Sequence, residues 1–292
     1  MAEKAQGRDT HSVLGLRVWL TRQPFRLAPA WAVLAGALAS GGLRGRRDNV
    51  LLLVLAIVLA DGLWSQLWAL QVRQGRSASA GATPPLPYAA PEAPATRLWR
   101  WLASSVGSEE SAQPVAAWQS LLMAVLFAFG LAALLGPVAL ALTVAALLLA
   151  GLARYLLSGR WTGVLAQAVF EIGLAWLLGH LLVAGLTWPM LPMLLAVGYV
   201  LLHAGALALC DRRGLWLVNL AQLIPPACLI AARQPLAAGA LGITLLAPLA
   251  WQPWLRQSGE DDREGFDAHG YVRRAQVWWW AGMLLAAWAV AR

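Results

Sequence analysis

The chain has 292 residues, a length that by itself fits one or two soluble domains. Its composition excludes that: 60% of residues are hydrophobic and 12% are charged, against roughly 45–50% and about 25% in ordinary globular chains. A soluble fold of this size lacks the interior to bury so much apolar surface. Lys+Arg exceed Asp+Glu by 22 to 14, a net charge of +8, and in a membrane chain this excess needs no nucleic-acid partner. The expectation is an all-α polytopic membrane protein, placed in the bacterial inner (cytoplasmic) membrane.

In chain order, residues 1–26 form a basic tail, and the first apolar run follows it without a small-residue cleavage site. Residues 27–292 form one membrane domain, with a long loop at 72–113. Two windows of about 40 residues, 114–153 and 172–210, carry no Asp, Glu, Lys or Arg. Each is about twice the roughly 20 residues of one bilayer crossing, so each predicts a helical pair. Gly136-Pro137 breaks the first window, and Pro189 and Pro192 break the second. With the shorter apolar windows this predicts about nine helices, near 27–43, 50–71, 114–135, 138–157, 162–186, 190–210, 215–232, 235–255 and 275–291. A β-barrel would need short alternating segments, and these runs do not alternate.

Charge orients the chain. With a cytoplasmic N-terminus and nine crossings, 17 of the 22 Lys+Arg fall inside, in the tail and after the second, fourth, sixth and eighth helices. Arg44, Arg46, Arg47, Arg233 and Arg292 fall outside. This bias predicts a cytoplasmic N-terminus and an outer C-terminus. Trp161, Trp216, Trp251, Trp254 and Trp278–Trp280 lie near inner helix ends, and Trp188 and Trp288 near outer ends, which reads as an aromatic belt. Within the loop, 96–102 puts Leu98, Trp101 and Leu102 on one face and predicts a short interfacial helix. The two cysteines, Cys210 and Cys228, offer no disulfide framework.

Ionisable groups inside spans are expensive and tend to mark function. Here they are Asp61, Glu171, His180 and His203. Counting from the cytoplasmic helix ends puts Asp61, Glu171, His203 and Gln222 roughly 10–17 Å deep, in one layer. Gln167 precedes Glu171 by four residues, Tyr199 precedes His203 by four, Gln66 follows Asp61 by five and Asn219 precedes Gln222 by three. Side chains three or four apart share a helix face. The expectation is a polar cavity open to the cytoplasm between helices 2, 5, 6 and 7. The competing reading is hydrogen-bonded packing between helices. His180 counts out nearer the outer end of helix 5 and is expected at the interface. The acidic run 260–267 is the one acid cluster, and it reads as a solvated loop or a divalent-cation site.

The stretch 20–38, an Arg/Pro step followed by an Ala-rich helix, resembles the first-helix entry of UbiA-type intramembrane prenyltransferases. The nine-helix topology with N-terminus in and C-terminus out is similar to that family's as well. The resemblance implies a lipid-facing cavity for an isoprenoid-like chain, with a site at the cytoplasmic loops after helices 2 and 6. The family's first aspartate-rich motif is represented only by Asp61, with Gln66 and Gln71 where further acids would stand. Its second is represented only by Asp211, beside Arg212 and Arg213. Asp61 and Asp211 are the metal ligands the resemblance implies, and Mg²⁺ is implied only for an active transferase. Holding Mg²⁺-diphosphate takes several carboxylates. Arg212 and Arg213 are candidates to clamp a phosphate or carboxylate head group, since guanidinium forks suit that geometry.

Three functions follow as expectations. The first is a catalytically degenerate UbiA-like subunit that binds an isoprenoid-like lipid, quinone or pigment, or scaffolds a larger membrane complex. A pigment metal would find imidazole ligands in His180 or His203. The second is an active Mg²⁺-dependent prenyltransferase acting on an aromatic acceptor. The third is a proton-coupled transporter using Asp61, Glu171 and His203 as a relay.

Overall fold

The computed structural model describes residues 28–43, 48–69, 112–156, 160–187, 189–209, 212–257 and 268–292. The N-terminal tail, most of the 72–113 loop with its 96–102 segment, Cys210, Asp211 and the acidic run 260–267 lie outside the described residues.

Among the described residues the chain is helical, in nine rods. They are α1 (Ala28–Ala39), α2 (48–69), α3 (Ala112–Leu135), α4 (Pro137–Leu156), α5 (160–184), α6 (Met190–Leu207), α7 (Arg212–Ala231), α8 (Pro235–Gln257) and α9 (Ala268–Val290). Five segments are long and apolar enough to cross a membrane: Asn49–Ala69, Trp161–Ala184, Met190–Leu207, Arg213–Ala231 and Pro235–Gln252. This is an integral membrane protein. Its surface agrees, since large apolar side chains point outward along the helices, among them Leu51 and Val54, Leu126 and Phe127, Val197, Leu223, Ile243 and Val277. In water such a surface would drive aggregation, and in lipid it is the stable outer face.

Local chemistry explains the breaks. Gly136 takes φ 107° between α3 and α4, and Pro137 opens α4 where its missing N–H has no helical partner to lose. Gly185 at φ 72° ends α5, and extended Pro189 precedes α6. Arg233, at φ 58°, turns the chain between α7 and α8 in a conformation that disfavours a side chain. The first and last rods differ from expectation. α1 stops at Ala39, where Ser40 turns back onto the Ala37 carbonyl (2.6 Å) and Gly41 adopts φ 71°. α9 starts seven residues before the apolar window, at Ala268. Tyr271 in that extension donates to the Pro248 carbonyl of α8 at 3.1 Å.

Helix α1 is the hub. Ala, Gly and Val on most of its circumference are buried, and it packs on α2, α5, α6 and α9. The α1–α5 crossing is close because it is built on two glycines. A Cβ on Gly36 would collide with the Trp176 carbonyl, and one on Gly179 with the Val33 carbonyl. Small residues at such crossings let backbones approach and gain dispersion contacts, the main cohesive force between helices in lipid. The α6–α7 hairpin is equally tight, with Gly205 against Val218 and Gly214 against the Ala208 carbonyl. Trp64, Trp176, Phe170, Leu195, Leu241 and Met283 fill the interior.

Candidate functional site

Both acids of the predicted layer lie in π-helical turns. Asp61 sits within Val58–Trp64 of α2, and Glu171 within Val169–Leu174 of α5. A π-turn is wider than an α-turn, is rare, and recurs at functional sites. In α2 the wider turn leaves the Ala60 carbonyl facing Ser65, whose backbone N–H and hydroxyl both donate to it, the hydroxyl at 3.2 Å. In this geometry residues five apart stack, so Asp61 and Gln66 have the register that a π-turn favours. The sequence carried no expectation of π-turns. Gly62 and Gly173, one in each turn, are the closest thing to a signal.

The Glu171 turn assembles a polar cluster. Gln167 Nε2 donates to Glu171 Oε1 at 2.9 Å, within α5. Glu171 Oε2 lies 2.6 Å from His203 Nε2 on α6. One hydrogen therefore lies between carboxylate and imidazole, whichever atom owns it. His203 is 3% exposed and Glu171 17%, so the histidine is sealed while the acid keeps an opening. Such a pair is stable in a bundle only because each partner satisfies the other.

Behind His203 lies a small pocket lined by Ile172, Tyr199, Leu202, His203, Trp279, Trp280 and Met283, with a volume of about 10 Å³. Tyr199 is 4% exposed and its ring stacks on Trp176, 6.2 Å between centroids and 19° between planes. Among the described residues its hydroxyl has no hydrogen-bond partner. Thus Gln167 with Glu171, and Tyr199 with His203, come together as their four-residue spacings predict.

The rest of the predicted layer divides. Asn219 and Gln252 of α8 exchange amide hydrogen bonds, at 3.4 and 2.5 Å. Gln222, three residues on, is 3% exposed, and among the described residues neither amide atom has a partner. The helix that carries both contains Pro225-Pro226. These remove the N–H groups that would bond the Ala221 and Gln222 carbonyls. Asp61 and Gln66 are half-buried on α2. That helix reaches the Glu171 turn through Trp68, which lies 4.7 Å from Phe170 between ring centroids. Arg213 is exposed at the start of α7. Arg212 opens that helix, and its side chain, like Asp211, is outside the described residues. Among the described residues no group of three or more His, Cys, Asp or Glu converges.

Three placements differ from the sequence reading. His180, expected at the interface, is fully buried, with Gly36 of α1 and Thr187 beyond α5 facing it through their backbones. Depth counting fixed its height along α5 but not its rotation toward α1. Trp279, expected in the belt, is 2% exposed and lines the pocket, whereas Trp278 beside it is 38% exposed. The contribution of α9 was also unexpected. Its signal is the stripe Ala275, Trp279, Met283 and Ala286, spaced by four, four and three and all buried.

No family model, curated protein or solved structure matches the chain.

Proposed function

We propose that the protein is a membrane-embedded binding subunit with UbiA-like topology. In this reading nine helices cross a bacterial inner membrane, with the N-terminus in the cytoplasm and the C-terminus outside. The Gln167–Glu171–His203 cluster receives the polar head of an isoprenoid-like lipid, quinone or pigment, and the apolar chain lies against the outer helix faces. The observation that carries the reading is the Glu171–His203 pair at 2.6 Å, set at a π-turn beside an aromatic pocket. A buried carboxylate–imidazole pair offers both a hydrogen-bond acceptor and a donor, while Trp280, partly exposed beside it, offers a face for a flat or isoprenoid group. Glu171, the more exposed partner, is where a head group makes first contact. Arg213 supplies a cation at the mouth of α7 for an anionic head group or a neighbouring subunit.

Purification from native membranes in mild detergent, followed by lipid extraction and mass spectrometry, tests the proposal. One isoprenoid-type or quinone-type species should copurify near stoichiometrically, and Glu171→Gln and His203→Ala should each deplete it about tenfold. Equal lipid content in wild type and both variants would sink the reading.

The same pair supports one other reading. A proton shared between Glu171 and His203 within a span is also the core of a proton-coupled transporter. Proton uptake by liposomes holding the protein under an imposed potential, abolished in Glu171→Gln, would favour that function.

A further inference from the structure

Hydrogen-bonding capacity at the Glu171 cluster is one-sided. Gln167 Nε2 donates to Glu171 Oε1 at 2.9 Å, and Glu171 Oε2 shares one hydrogen with His203 Nε2 at 2.6 Å. His203 is 3% exposed, so the imidazole side of that hydrogen is sealed inside the bundle. Glu171, 17% exposed, and half-buried Gln167 are the members that an incoming group can reach. With its shared hydrogen engaged, the Glu171 carboxyl has only lone pairs left to offer. Gln167 has committed one of its two N–H bonds to Glu171 and keeps the other, together with its carbonyl oxygen. Lone pairs on three oxygens therefore stand against a single N–H.

Such an opening sorts head groups by the hydrogen they carry. A quinone carbonyl only accepts. Against Glu171 it sets lone pairs on lone pairs, and both groups give up water without gaining a bond. A phenol or hydroquinone presents an O–H to the carboxyl, and the same oxygen still accepts from the free N–H of Gln167. A ring has a surface to rest on nearby. Ile172, the next residue along α5, and His203 line the small pocket together with partly exposed Trp280, whose indole face suits an aromatic partner.

We propose that the Gln167–Glu171 opening selects the hydroxyl form of its ligand, a phenol or hydroquinone head group over the corresponding quinone. The ligand O–H donates to Glu171, and its oxygen accepts from Gln167. This selection narrows the binding function proposed above and rests on it.

Three probes with one ring and one decyl tail test the selection: a hydroquinone, its quinone and its dimethyl ether. The ether keeps the hydroquinone ring and lacks the O–H. Dissociation constants are measured under argon with the full chain in phosphatidylcholine nanodiscs. The hydroquinone should bind about tenfold or more tightly than either of the others, the scale of one hydrogen bond to a carboxyl group in a partly open site. Glu171→Gln brings an N–H donor to a place where the wild type has lone pairs, so the preference over the quinone should shrink by about threefold or more. A quinone or ether that binds as tightly as the hydroquinone overturns the selection and leaves the binding function standing. Binding of none of the three overturns both. An unchanged preference in Glu171→Gln removes Glu171 as its source and overturns the assignment. If that variant does not fold, the three wild-type constants decide alone.

Discussion

Glu171 and His203 depend on each other. A carboxylate and an imidazole at 2.6 Å inside a bundle are tolerable together and costly apart. Removing one partner of a buried pair costs about 3–5 kcal/mol, and the 17% exposure of Glu171 places this one toward the lower end. Glu171→Ala and His203→Ala should each lower unfolding free energy by about 2–4 kcal/mol. The double variant should lose clearly less than the sum, because each single change strands the other group. Chemical unfolding in detergent measures this, and strictly additive losses would show that the pair is not coupled. At this scale the sequence was most informative where chemistry was local. Gln167 meets Glu171 because four residues on a helix return to the same face. His180 was misjudged because counting from a helix end gives depth and not rotation. Gln222 was expected in the same layer, yet among the described residues its amide has no partner and Asn219 turns to α8, since neighbours across helices are set by packing alone.

Helices in lipid hold together where their backbones come close, and Gly36, Gly179, Gly205 and Gly214 lie at such places. Gly36→Ala and Gly179→Ala each force a methyl into a backbone carbonyl across the α1–α5 crossing. Either should remove most folded protein, seen as loss of the monodisperse peak in size exclusion. By contrast, Gly130→Ala in α3 and Gly151→Ala in α4 meet nothing within 4 Å. They should leave the fold intact and add up to about 1 kcal/mol through helix propensity. A similar collapse of both pairs would refute the crossing. Arg233 offers the opposite case, since its φ of 58° suits glycine. Arg233→Gly should stabilise by about 1 kcal/mol in chemical unfolding, the scale of the strain on a left-handed non-glycine residue. Helix ends were largely legible because prolines and glycines act locally, as at Gly136-Pro137. The π-turns at Asp61 and Glu171 were not, because an extra residue in a turn leaves no mark on an apolar run.

The whole molecule is organised around α1, a short rod of about 18 Å. The longer helices around it present apolar faces outward. The proposed topology predicts that cysteines introduced at position 90 and at position 233 label from opposite sides of intact cells. Position 90 should react only after the cytoplasmic side is opened, and position 233 from outside. Labelling of both from one side would overturn the nine-crossing arrangement.

Sequence alone determined the solvent, the helical class and the approximate position of each rod. These depend on the length of apolar runs and on local breakers, and both are properties of neighbouring residues. It also singled out Glu171 and His203, because charge inside a span is rare enough to stand out. Only the tertiary structure decided that these two meet, that α9 lines the pocket with Trp279 and Met283, and that Tyr199 packs against Trp176. Those outcomes depend on the rotation and crossing of each helix. In a chain apolar on nearly every face, a stripe such as that of α9 is the exception, and close packing at a few glycines sets the rotation of α1 and α5.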